Sequence, residues 1–73
     1  MSNMILTGND CPACADLRRA LDSLVDVGIE VTWHNVQENG MVETDRPVRS
    51  VPTLVRDNKV VAQGLDNILE ELI

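Results

Sequence analysis

The sequence predicts an α/β domain built on a four-stranded mixed sheet, and three observations lead there. An apolar run at 4–7, an amphipathic stretch that begins at Pro12 and a β-branched run at 29–36 have the spacing of a strand, a helix and a second strand. With connections this short the unit closes as a right-handed βαβ crossover, so its two strands are expected to be parallel. Two further runs, 53–56 and 59–62, flank Asp57-Asn58, a residue pair that tolerates the positive φ of a tight hairpin. A final amphipathic stretch closes the chain, which gives the order βαβαββα with helices expected on both faces of the sheet.

In chain order, Met4-Ile5-Leu6-Thr7 reads as a buried strand that runs out at Gly8-Asn9-Asp10, a loop signal. From Pro12, the residues Cys14, Leu17, Ala20, Leu21, Leu24 and Val25 recur at helical spacing, with Asp16, Arg18, Arg19, Asp22 and Asp26 on the opposite side. Gly28 is the expected stop. In the second strand Trp33 reads as a core residue and His34 as a sheet-edge or surface residue. The polar stretch 37–46 holds the turn signal Asn39-Gly40, and one or two helical turns are expected over 41–46 before Pro47 ends them. At the end of the chain Leu65, Ile68, Leu69, Leu72 and Ile73 have helical spacing, and Asp66 is the expected N-cap. No repeat, linker or low-complexity tract interrupts the chain, so 1–73 is expected to form one domain.

At 73 residues the domain buries only about 60% of the surface its unfolded chain exposes. Its composition is 44% apolar, but without Phe or Tyr and with a single Trp the interior must be built from Val, Leu, Ile and Ala. A net charge of −6 argues against a general nucleic-acid binder, whose affinity comes from neutralising phosphates, and favours a monomer that stays apart from its copies. The opening Met1-Ser2-Asn3-Met4-Ile5-Leu6 lacks the basic start and long apolar run of a signal peptide, and no stretch is long enough for a membrane span. A cytoplasmic location is expected, where a C-x-x-C pair is more often catalytic than structural.

The chemistry concentrates at Asp10-Cys11-Pro12-Ala13-Cys14, which holds both cysteines of the sequence. Pro12 has no N–H to lose and its φ suits the first helical position, so Cys11 becomes the N-cap and Cys14 the third helical residue. The two sulfurs then lie one turn apart, with Cys11 at the free end. Unpaired N–H groups and the helix dipole favour a thiolate there, which is the nucleophilic form of cysteine. The predicted roles are attack by Cys11 and resolution by Cys14. A zinc site within the chain would need four ligands, and two cysteines plus the single histidine fall short, so no metal is expected. A purely structural disulfide is a weak reading too, because so short a loop removes little chain entropy.

With this order of elements, Cys11-Pro12-Ala13-Cys14, the run Pro47-Val48-Arg49-Ser50-Val51-Pro52 and the stretch Gly64-Leu65-Asp66, the chain resembles the glutaredoxins and their relatives in the minimal thioredoxin fold. The resemblance implies a cis Val51-Pro52 bond facing the dithiol and a Val51 backbone that pairs with an extended thiol substrate. It implies substrate contacts at Pro12, Ala13 and Pro52 as well. Asp66 matches the aspartate of the family's Gly-Gly-x-x-Asp segment, which holds the charged end of glutathione. The chain departs from the family pattern at three places. Ala62-Gln63 stand for the paired glycines, Ala13 replaces a tyrosine, and Asp10 puts a carboxylate beside Cys11, which opposes thiolate formation. Arg46, Arg49 and Arg56 lie near the proline loop in sequence and would suit the carboxylates of glutathione.

The expected function is that of a glutaredoxin-like thiol-disulfide oxidoreductase needing no metal or organic cofactor, with glutathione as co-substrate and a protein disulfide such as that of ribonucleotide reductase as target. One alternative is the NrdH-redoxin group, which takes its electrons from thioredoxin reductase. Another is a redoxin-fold binding module, including a dimer in which the cysteines bridge zinc or an iron-sulfur cluster.

Overall fold

Strand β1 (Asn3–Thr7) pairs in parallel with β2 (Val31–Asn35), Ile5 opposite Trp33 and Leu6 opposite His34. On its other side β1 pairs antiparallel with β3 (Thr53–Arg56), and β3 with β4 (Lys59–Gln63), so the sheet order is β2-β1-β3-β4. These are positions from a computed structural model that describes residues 3–23 and 28–73. The expected crossover and hairpin are both present. Asp57 and Asn58 carry φ of 53° and 64°, the left-handed pair that lets a two-residue turn follow the twist of its strands. A bulge at the step from Leu54 to Val55 sets two residues of β4 against one of β3.

Helix α1 (Pro12–Asp22) buries Cys14, Leu17 and Leu21 and leaves Asp16, Arg18, Arg19 and Asp22 exposed, as its periodicity predicts. It runs to Asp22, where the Ser23 hydroxyl donates to the Ala20 carbonyl at 2.7 Å and the Ser23 N–H to that of Arg19 at 3.2 Å. The expected continuation of the stripe through Leu24, Val25 and Asp26 lies outside the described residues. Helix α3 (Leu65–Leu72) packs on α1. Between them and the sheet lies a core of Ile5, Leu17, Leu21, Leu54 and Ile68, against which Trp33, Val31 and Leu72 pack. Arg18 stands over the Trp33 ring, 5.0 Å from its centre, so this aromatic is tied into the core's margin as expected.

Two local expectations are corrected. The helical turn after β2 is α2 (Val36–Asn39), and 41–46 is not helical. Asn35 causes this. Its side-chain oxygen accepts from the N–H groups of Gln37 at 2.9 Å and Glu38 at 3.1 Å, capping a helix that starts before the Asn39-Gly40 turn. The segment 41–50 instead crosses toward the hairpin as an extended strap. Asp45 accepts from the Val60 N–H at 2.8 Å while Arg46 donates to the Val60 carbonyl at 2.8 Å, so the open edge of β4 is covered by side chains. The second correction is at α3, whose N-cap is Gly64 with φ 91° and no side-chain cap. Asp66 is the second helical residue, where its charge favours the helix dipole. The chain turns at Gly64 because its N–H donates to the Pro52 carbonyl at 3.0 Å, which fixes where β4 ends and the helix begins. No described helix is long and apolar enough to cross a membrane.

Candidate functional site

The C-terminal end of β1 and the N-terminal end of α1 meet at Cys11, which has the extended backbone of an N-cap (φ −119°, ψ 91°) while Pro12 opens the helix. Cys11 and Cys14 are joined as a disulfide, with their Cα atoms 5.2 Å apart. The Cys14 N–H donates to Cys11 Sγ at 3.1 Å, and the Ala15 N–H to the Cys11 carbonyl at 3.2 Å. The helix terminus therefore directs one N–H, that of Cys14, at this sulfur, a contact that favours a thiolate once the bond is reduced. Cys14 is only 7% exposed and faces the core, whereas Cys11 is half-buried beside the exposed ring of Pro12. Of the two cysteines, Cys11 is thus the more exposed.

The proline loop lies against the same sulfur. The Val51-Pro52 bond is cis, and the Val51 carbonyl oxygen is 3.8 Å from Cys11 Sγ. Pro52 and Thr53 are fully buried, and the Thr53 hydroxyl donates to the Ser50 carbonyl at 2.6 Å, clasping the loop from inside. Folding thus brings together Cys11, Cys14, Val51 and Pro52, which are 40 residues apart in the case of Cys11 and Val51. Pro12 and Ala13 border the pair as the first two residues of α1. Asp66 is exposed on the first turn of α3, two residues after Gly64, whose N–H is bonded to the Pro52 carbonyl.

The arginines separate. Arg56 ends β3 at the pole away from the cysteines, donating to Asn3 at 2.8 Å and pairing with Glu71 at 3.4 Å. Arg46 is spent on the Val60 carbonyl and lies 3.8 Å from Asp45. Arg49 is exposed in the loop that carries Val51. His34 points its Nε2 to the Gly40 carbonyl at 2.7 Å, which engages the ring with the end of α2. Among the described residues no three His, Cys, Asp or Glu side chains converge as a metal cluster.

Reading the sequence missed a polar clamp on the loop before Cys11. The Asn9 N–H donates to the Gln37 side-chain oxygen, and the Asn35 amide donates to Asn9 Oδ1 at 3.1 Å. Gly8 leaves room for this, since a Cβ there would stand 2.8 Å from Gln37 Oε1 and 3.3 Å from Val51 Cγ2. The signal that pointed to it was Asn35-x-x-Glu38, the spacing of a helix start.

Asp10 follows with φ 52°, in the left-handed region that Asp and Asn enter more readily than other side chains. Asp10→Asn keeps that conformation and removes the charge beside Cys11. It is expected to lower the pKa of the Cys11 thiol in the reduced protein and to speed its alkylation at neutral pH by about twofold, the effect of one solvent-screened charge. Thiolate absorbance against pH measures it, and an unchanged or raised value removes the electrostatic role given to Asp10.

The family model described as thioredoxin domain matches residues 1–73, the whole chain. No curated protein and no solved structure matches it significantly. A parallel-antiparallel sheet that sets a helix-capping cysteine against a cis-proline loop, on a chain matched from end to end, makes this protein a member of the thioredoxin-domain family with a redox-active cysteine pair.

Proposed function

We propose that this protein is a glutaredoxin-like dithiol-disulfide oxidoreductase that reduces protein disulfides or glutathione mixed disulfides in the cytoplasm, with glutathione as its electron source. The observation that carries the reading is the asymmetry of the pair: a half-buried Cys11 at a helix N-terminus, bonded to a buried Cys14. In the reduced protein the Cys11 thiolate attacks one sulfur of the substrate disulfide, forming a mixed disulfide and releasing the other sulfur as a thiolate. Cys14 then loses its proton and attacks Cys11 Sγ, which closes the Cys11–Cys14 bond and expels the second substrate thiolate. Two electrons have passed to the substrate, and two thiols from the donor must restore the pair. The Val51 main chain and the cis Pro52 flank the path of attack, Pro12 and Ala13 form its near wall, and Asp66 and Arg49 are the charged groups offered to the ends of glutathione. A disulfide such as that of ribonucleotide reductase is a suitable target.

A second reading, reduction by thioredoxin reductase as in the NrdH-redoxin group, draws support from β4. Ala62 and Gln63 are regular strand residues paired with Leu54 and Thr53, and they bring side chains to the place where the family has two glycines. A coupled assay separates the two. The oxidised protein is supplied with NADPH and either glutathione plus its reductase or thioredoxin reductase, and NADPH loss is followed with a small disulfide as acceptor. Turnover with the glutathione couple is expected. Turnover with thioredoxin reductase alone replaces the first reading by the second, and no turnover with either leaves the binding-module class, including a metal-bridged dimer.

A further inference from the structure

The Cys11 sulfur is reached from β1 through only three loop residues, Gly8, Asn9 and Asp10, and that loop is held from outside itself. The Asn9 main-chain N–H is taken by the Gln37 side-chain oxygen. Its side-chain oxygen is taken by the Asn35 amide at 3.1 Å, and the other end of the same amide caps α2. Beyond Asn9 the chain enters the left-handed region at Asp10 and emerges extended at Cys11. Asp enters that region more readily than most residues but still at a cost, so the bonds on either side of it help to hold the turn. Gly8 fits the same design: a Cβ on it would stand 2.8 Å from Gln37 Oε1 and displace it, and would crowd Val51, the residue whose carbonyl faces Cys11, at 3.3 Å.

We infer that Gln37 is a positioning residue for the nucleophile. Through the Asn9 N–H it fixes the turn at Asp10, which in turn sets the Cys11 sulfur at the end of α1, within reach of the Cys14 N–H. Gln37 touches no reacting atom. Its loss lets Asp10 relax, and Cys11 then no longer meets the Cys14 N–H that holds its thiolate. The inference rests on the redox reading of the cysteine pair, and it adds a residue of α2 to the determinants of that pair's reactivity.

Two substitutions separate the hydrogen bond from mere packing. Q37M fills a similar volume without an acceptor, and Q37E keeps the acceptor oxygen. Both are compared with the unaltered protein, fully reduced, in about 1 M salt, where the screening length is about 3 Å and the added charge of Q37E is muted. The readouts are the thiolate titration and the rate of alkylation of Cys11, identified by its peptide mass. Q37M is expected to raise the pKa of the Cys11 thiol and to slow its alkylation at neutral pH by about threefold or more, the worth of one hydrogen bond. Q37E is expected to retain the native rate. A native rate in Q37M, or equal slowing in both variants, overturns the inference. Hydrogen exchange of the Asn9 amide in the unaltered protein tests it without a variant, and protection is expected while free exchange overturns it. Failure of the unaltered protein to reduce any disulfide counts against the redox reading instead, while the Asn9 amide still reports on the clamp.

Discussion

Cys11→Ser is expected to abolish disulfide reduction, with turnover falling to the background of the uncatalysed exchange. Cys14→Ser is expected to leave the first attack intact and to accumulate a mixed disulfide between Cys11 and the substrate. The difference follows from placement. Cys11 caps α1 and is half-buried, its sulfur 3.1 Å from the Cys14 N–H, whereas Cys14 is 7% exposed and directed at the core. Serine at position 11 offers a hydroxyl whose proton is lost far above neutral pH, so no nucleophile replaces the thiolate. Serine at position 14 removes the group that displaces substrate, so reactions that need one thiol continue and those that need two stall. The check is mass spectrometry of each variant after mixing with a disulfide, together with limiting iodoacetamide on the reduced parent. Faster labelling of Cys14 than of Cys11 reverses the assignment of roles.

The largest effect on stability is expected at Leu54. This residue is fully buried in β3, one of the two inner strands, paired with Ile5 on one side and Ala62 on the other, and it belongs to the cluster joining α1, α3 and the sheet. Leu54→Ala removes three carbons from a core that has no phenylalanine or tyrosine to close over the gap. The cost is expected at about 2–5 kcal/mol, as for other buried leucines. For a small domain of about 5–15 kcal/mol total stability that is a large fraction, so the variant should be partly unfolded near room temperature or melt far below the parent. Trp33 packs against the same cluster, and its fluorescence across a urea titration reports the change. A loss below about 1 kcal/mol would place the weight of the core elsewhere.

The two measurements bear on each other through β3. The strand that buries Leu54 begins at Thr53, whose hydroxyl clasps the loop of Val51 and Pro52 against Cys11. A variant weakened at Leu54 is therefore expected to lose stability and, in its unfolded fraction, the exposure difference between the cysteines, while Cys14→Ser changes chemistry with the fold in place.

Local sequence determined the strands, the hairpin turn and the start of α1, because each rests on contacts within a few residues: alternating or helical apolar spacing, a positive-φ pair at Asp57-Asn58, and a proline after Cys11. It also determined which cysteine lies at the helix end and which is buried, since three residues on a helix fix that geometry. The cis bond at Val51 and its place beside the dithiol came from likeness to a family, and the folded chain has both. What only the tertiary structure decided involves partners distant in sequence. The helical turn moved to Val36–Asn39 because Asn35 caps it while also reaching Asn9, 26 residues away. The strap at 41–50 stayed extended because Asp45 and Arg46 satisfy the main chain of Val60 on an edge that no local pattern reveals. Arg56 left the site because antiparallel pairing with β1 carries it to the far pole beside Asn3. Gln37 joined the site because the parallel pairing of β1 and β2 ends both strands together, so the residues after them, distant along the chain, share one loop.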